Sequence, residues 1–387
     1  MRAYLDHAAT TPMRPEAVEA MLPYLRGEFG NPSGGHTESR RARMAVDEAR
    51  EQIAELLGVD LGELVFTSGG TEADNLAVVG AWEARSASSA NPATPQALVC
   101  TAMEHHAVLN TCTALARRTG AQLRVVPPDK DGIIDLGALA AACTDDVGLV
   151  SVMAVNNEIG TVQPLDAVAS VVRSGSPHAV MHTDAVQAVP WLAMEQVTAV
   201  VDLTTVSAHK FGGPKGVGAL VVRSGTPLDP VIHGGGQERE RRSGTLNVAG
   251  IVAMAAALAT TVPERDRAGS RVRVLRDRLG DGLVRSVDGV SETGLRHEKV
   301  PGHLHLRFAG VESEALVILL DEAGVAVSAG AACSSGAVEA SHVLLSMGMG
   351  RHEAASGIRF SLGSSTTDEE IDHALAVVPD AVAQLRD

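Results

Sequence analysis

Aromatic side chains are nearly missing from this sequence: Phe, Trp and Tyr together make up 2% of its 387 residues. That scarcity excludes a stacking platform for single-stranded nucleic acid and leaves the core to Ala, Val, Leu and Met. Positive charge is also short, with 32 Lys and Arg against 47 Asp and Glu and a formal net charge of −15. A phosphate backbone would be repelled overall, so no direct nucleic-acid partner is expected. Cysteine is sparse. Cys100, Cys112, Cys143 and Cys333 lie far apart with no C-x-x-C spacing, which provides neither a disulfide framework nor a metal site and points to a reducing cytoplasm. The N-terminal stretch has no apolar signal-peptide core. The longest apolar run, residues 248–262, falls short of the roughly 20 residues that cross a bilayer; it reads as a buried helix, and no membrane association is expected.

Hydrophobic residues at 45% and charged residues at 20% describe a globular chain, long enough for a large α/β domain with a smaller one attached. From about residue 63 to 223, short β-branched runs (63–67, 97–101, 148–153, 179–182, 201–206) alternate with helical spacing, as in 73–85 and 107–118. Such alternation predicts a mostly parallel sheet covered on both faces, with ligands bound beyond the carboxyl ends of its strands. The Ser-, Ala- and Pro-rich stretch 86–95 reads as a surface loop. A helical pattern over 248–283, predicted to break or kink at Pro263, connects to a compact α+β lobe with a strand at 303–308, a helix at 312–322 and a strand at 357–362.

The residues that follow the strands carry the chemistry. Thr67-Ser68-Gly69-Gly70-Thr71-Glu72 leads into a helix and suits a phosphate at a helix N-terminus, or simply a capped turn; it matches neither common nucleotide-binding motif. In Ser207-Ala208-His209-Lys210, a lysine after a strand precedes a glycine loop, where a phosphate-bearing cofactor could be both cradled and held covalently. Asp184 could serve as a helix cap or keep a pyridine nitrogen protonated, which would make such a cofactor an electron sink. Glu104-His105-His106 and Asn156-Asn157-Glu158 each follow a strand. One imidazole there could stack on a flat ring and one amide could reach a phenolate oxygen, or both could be ordinary turns. Cys333 sits among small residues, Ser328 to Gly336, as a travelling thiol would. The other three cysteines lie in apolar or helical patterns and are expected to be structural.

Taken together with Tyr4-Leu5-Asp6-His7-Ala8-Ala9-Thr10-Thr11, Ser68 to Asn75, Gly234-Gly235-Gly236-Gln237-Glu238-Arg239, Arg242-Ser243-Gly244-Thr245 and Ile358-Arg359-Phe360-Ser361-Leu362-Gly363, these segments resemble the cysteine desulfurases of the class V aminotransferase superfamily over nearly the whole chain. The resemblance implies a type I pyridoxal-phosphate-transferase fold: a large domain over residues 13–255 and a small α+β domain over 1–12 and 256–387 that carries Cys333. It implies pyridoxal phosphate joined to Lys210, with Asp184 on the pyridine nitrogen and His105 stacked on the ring. Asn157 and Gln187 would contact the cofactor, and Gly70, Thr71, Ser207 and His209 would hold its phosphate. Thr245 would come from the second subunit of a homodimer. Arg359, with Asn157, would bind the carboxylate of L-cysteine, and Cys333 would take its sulfur as a persulfide, leaving alanine.

The Cys333 context resembles the branch that supplies iron–sulfur scaffolds or tRNA-thiolating enzymes, although His7, Ala208 and Ala332 depart from residues common in the family. A selenocysteine lyase, a small-molecule aminotransferase or a catalytically idle sulfur-carrying scaffold are the competing readings. An aminotransferase would not need Cys333, a lyase would be set apart by preferring the selenium substrate, and an idle scaffold has no chemical need for Lys210, Asp184 and Cys333 together.

Overall fold

Short runs of Val, Leu, Ala and Thr lacking helical spacing become strands, because β-branched side chains lose little on a pleated surface that is packed on both sides. The computed structural model describes residues 1–87, 95–330 and 340–387. Among these the strands are β1 (Ala3–Tyr4), β2 (Leu64–Thr67), β3 (Ala97–Thr101), β4 (Gln122–Val126), β5 (Val147–Ser151), β6 (Val180–Asp184), β7 (Leu203–Ser207), β8 (Gly218–Val222), β9 (Val290–Glu292), β10 (His303–Phe308), β11 (Val325–Ala326) and β12 (Gly357–Ser361).

Seven of them form one sheet in the order β2-β8-β7-β6-β5-β3-β4. Only β8 is reversed, antiparallel to both of its neighbours; the remaining pairs are parallel. The carboxyl ends of β2, β3, β5, β6 and β7 therefore share one edge. Alternation along the strands divides two cores: Leu64, Phe66 and Val99 point into one, and Val65, Leu98 and Cys100 into the other. Cys100, Cys112 and Cys143 are buried, as expected for structural cysteines.

A separate core forms around the antiparallel sheet β12-β10-β9 and the parallel pair β1-β11. The helix Val248–Ser286 joins them, placing Ile251, Met254 and Leu258 in the first core and Val272, Leu275 and Leu279 in the small-sheet core. It corrects the expected break, since the helix runs on through Pro263. Neighbouring threonines take up helix carbonyls: Thr260 Oγ1 donates to Ala256 O, and Thr261 Oγ1 donates to Ala257 O and to Phe211 O. Anchoring in two cores outweighs the one backbone bond that proline removes. Two smaller corrections concern β6, which extends to Asp184 rather than stopping at His182, and Ser86 and Ala87, which close the helix Ala81–Ala87. The rest of the expected surface loop, apart from Pro95, lies outside the described residues.

The outer edge of β2 is covered by a buried ion pair rather than by another strand. Arg50 Nη1 donates to Leu64 O at 2.7 Å, Phe66 N donates to Glu238 Oε2 at 2.7 Å, and Arg50 Nη2 meets Glu238 Oε1 at 2.5 Å. Glu238 opens a run of three non-glycine residues in the left-handed region, with φ of 49°, 56° and 66° at Glu238, Arg239 and Glu240. The pair holds that turn against its own strain. Glu238→Ala strands a buried guanidinium and should lower unfolding stability by about 3–5 kcal/mol; a chemical-denaturation midpoint equal to that of the native protein would refute this role.

Candidate active site

At the end of β2 the chain turns through Gly69, whose φ of 149° is open only to glycine. A Cβ on Gly70 would meet Val186 Cγ2 at 2.9 Å and Ser207 Cβ at 3.5 Å. Bare backbone thus lies against the ends of β6 and β7. The helix begins at Gly70, with Thr71 exposed in its first turn. Glu72 closes this turn, accepting from Ser68 N at 2.9 Å and pairing with Arg242 Nε at 2.7 Å.

Lys210 follows β7 in a short turn, Ala208–Lys210. Its Nζ donates to Ala8 O at 2.6 Å and Ala9 O at 2.9 Å. Burial, reinforced by the nearby Arg359 charge, lowers its pKa to about 8. A lysine so placed is partly neutral, hence nucleophilic, near physiological pH. Gln187 Nε2 donates to the same Ala8 carbonyl at 2.8 Å.

Asp184, at the tip of β6, is buried and accepts from Val186 N at 2.9 Å. One carboxylate oxygen each from Asp184 and Asp74 and a ring nitrogen of His105 lie within 4.8 Å of one another. Burial raises the Asp184 pKa, while His105, the Val186 N–H and Lys210 pull it back down. His105 caps the helix His106–Thr119, its Nδ1 accepting from Ala107 N at 3.1 Å. Capping therefore fixes the orientation of its exposed ring.

The two asparagines separate in role. Asn156 shapes the turn, its Oδ1 accepting from Glu158 N and Ile159 N and its Nδ2 donating to Met103 O. Asn157 is partly exposed and gives its carbonyl to Arg359 Nη1 at 2.9 Å. Arg359 Nη2 pairs with Asp6 Oδ1 at 2.7 Å, and its buried Nε has no partner. Two of five N–H groups are committed, so a fork remains available to a carboxylate.

Cys333, like the rest of 331–339, lies outside the described residues. The residues on either side of that segment meet beside this cleft. Ser328 exchanges backbone bonds with Arg359 at 2.7 and 3.2 Å, and Ser341 Oγ donates to Glu158 Oε2 at 2.5 Å. His342 Nε2 contacts Glu104 O at 3.0 Å.

Ser207, at the end of β7, is buried next to Gly70. His209 Nδ1 contacts Thr10 Oγ1 at 3.2 Å, and burial lowers its pKa to about 4, leaving the ring neutral. Thr245 is exposed, on the loop whose Arg242 pairs with Glu72. Sequence reasoning missed the roles of Asp74, within the segment Ser68 to Asn75, of His182 on β6, and of Asp6 in engaging Arg359. The one available signal for Asp74 was its place one helical turn after Thr71.

A doubly wound sheet with a partly buried lysine of lowered pKa and a buried aspartate at one edge defines a class of enzymes, and sequence comparison agrees. Residues 3–374 match the model of the family described as aminotransferase class-V. The "IscS-like cysteine desulfurase" of Mycobacterium tuberculosis is 44% identical over 388 residues, covering 99% of this chain and 97% of the relative. The "Cysteine desulfurase IscS" of Methanosarcina thermophila is 39% identical, covering 99% and 92%. Among solved structures, a "NifS-like protein" superposes with a TM-score of 0.92 at 35% identity, covering 99% of this chain and 100% of that one. The chain belongs to the aminotransferase class-V family. Its fold is the expected type I architecture, a large mostly parallel sheet with a smaller α+β unit.

Proposed function

We propose that this chain is a pyridoxal-phosphate-dependent cysteine desulfurase that converts L-cysteine to L-alanine and passes the sulfur to Cys333. The observation that carries this reading is the convergence of the Lys210 amine, the buried Asp184 and the capped His105 ring at one sheet edge. The residues present fit a flat, phosphate-bearing pyridine. Gly69 and Gly70 bring bare backbone against Ser207, where any larger residue at position 70 would strike Val186. Gly70, Thr71, Ser207 and His209 would hold the phosphate, with Thr245 supplied from a second subunit. Asp184 would face the ring nitrogen, His105 would lie over the ring, and Gln187 and Asn157 would reach its oxygen substituent. Lys210 would tether the cofactor. When bound, the cofactor supplies a conjugated ring that takes up the electron pair released at the substrate Cα.

The chain's own residues do the remainder. Arg359 binds the substrate carboxylate with its uncommitted N–H groups and, with Asn157, fixes the Cα–H bond relative to Lys210. Neutral Lys210 Nζ takes the Cα proton. The Cys333 thiolate attacks the substrate sulfur: an S–S bond forms, the C–S bond breaks, and the electron pair stays on the carbon, which leaves as alanine after protonation. The proposed lobe boundary near residues 12/13 is supported by Leu5 in the small-sheet core and Met13 against the first core, whereas along the helix Val248–Ser286 the two cores divide between Leu258 and Val272, beyond the expected boundary at 255/256. The terminal acceptor is taken to be a protein, an iron–sulfur scaffold or a tRNA-thiolating enzyme, and the setting a reducing cytoplasm.

Incubating the protein with L-cysteine and no reductant should add one sulfur to the peptide containing Cys333 and release alanine. Alanine release with an unmodified Cys333 peptide would exclude it as the acceptor.

A further inference from the structure

Below Asp184 lies a buried polar cluster that the proposed reaction does not use. Asp74 is 1% exposed and comes from the helix Gly70–Asn75; His182 is wholly buried on β6. Asp74 Oδ1 has no hydrogen-bond partner. Its nearest nitrogen, His182 Nε2 at 3.6 Å, already contacts Thr205 Oγ1 at 3.1 Å, while Nδ1 contacts Ser151 Oγ at 2.9 Å. Thr205 also bonds the Asp74 carboxyl. Glu104 is buried nearby, its Oε1 accepting from Thr101 Oγ1 and Met153 N and its Oε2 unpartnered.

Two carboxyls with oxygens inside 4.8 Å of each other, both out of water, cannot both ionise near neutral pH. Which one keeps the charge follows from the surroundings. Asp184 faces His105, Lys210 and the Val186 N–H, all favouring its anion. Asp74 faces Asp184 and Glu104, which oppose ionisation, and Thr205, a single neutral donor. His182 offers no cation, since burial holds its pKa at about 3. Glu104 is itself pushed upward by burial.

We propose that Asp74 is a positioning residue that keeps its carboxyl proton throughout the working pH range, so that the Asp74–Asp184 pair carries one negative charge and that charge stays on Asp184. This rests on the reading of Asp184 as the partner of the cofactor's ring nitrogen. Asp74 then acts through Asp184: a second carboxylate there would drive a proton onto Asp184 and leave the ring nitrogen without its counter-charge.

The test uses holoenzyme labelled with ¹³C at aspartate carboxyls. The residue 74 signal should stay at the position of a protonated acid from about pH 6 to 9 while that of Asp184 stays at the carboxylate position. Asp74→Asn and Asp184→Asn assign the two signals, and Thr205→Val, which removes the donor to Asp74, identifies the first if Asp74→Asn does not fold. Asp74→Asn, neutral and of equal size, should keep cofactor affinity within about threefold and leave the pH profile of the bound cofactor's absorption in place. A carboxylate signal from residue 74, or an Asp74→Asn protein whose absorption profile moves along the pH axis, overturns the proposal. Failure of the larger reading looks different: Asp184→Asn would then bind cofactor as tightly as the native protein, whatever the state of residue 74.

Discussion

Lys210→Ala should bind pyridoxal phosphate without forming a borohydride-reducible link and should lose turnover by roughly 10²–10⁴-fold or more, the range set by removing a positioned proton-transfer group. The expectation follows from the surroundings of the amine. Nζ is held by the Ala8 and Ala9 carbonyls at the edge where β6 and β7 end, and burial with the Arg359 charge brings its pKa down to about 8. The sign of the pH dependence follows. A lowered lysine pKa means the neutral, nucleophilic form gains as pH rises through about 8. Reloading of stripped native protein with cofactor should therefore accelerate through that region and then level off. An ordinary lysine would keep accelerating toward pH ~10.4. An undiminished reducible adduct in the Lys210→Ala protein would remove this residue from the chemistry.

Cys333→Ser separates cofactor binding from sulfur transfer. The variant should keep its bound cofactor and its visible absorption, because Lys210, Asp184 and His105 are untouched, and should lose turnover by about 10³-fold or more, since a serine hydroxyl is no nucleophile toward sulfur at neutral pH. The described residues on either side of its segment support this role. Ser328 pairs with Arg359, and Ser341 bonds Glu158, two residues from the Asn156 turn. Both described anchors that flank the segment therefore lie next to the proposed substrate carboxylate site. Native-rate sulfide release by the serine variant, measured with L-cysteine and excess reductant, would show that another group takes the sulfur.

Much of the architecture was readable in the chain. Buried strands stand out as short apolar runs without helical spacing, so β3 and β10 fall where the pattern puts them, β2, β5, β6, β7 and β12 shift by one or two residues, and β1, β4, β8, β9 and β11 had no expected run. The break, one of the two outcomes expected at Pro263, does not occur because the two halves of the helix are each anchored in a core. The groups proposed to react drew notice in the sequence because Lys210 follows β7 ahead of a glycine-rich stretch and Asp184 closes β6. Their supporting residues did not. Asp74 stands in Glu72-Ala73-Asp74-Asn75 and His182 in Val180-Met181-His182-Thr183, and neither stretch records that the two meet below Asp184.

The sequence by itself determined which groups exist to do chemistry: one lysine after a strand, one aspartate, one cysteine among small residues, and the order in which sheet and small lobe are built. Only the tertiary structure decided their states. Ionisation and nucleophilicity depend on water removed and on charges brought near from remote parts of the chain, as Arg359 is to Lys210 and Asp74 is to Asp184. Those distances are set by the closing of the sheet, and no local stretch of residues records them.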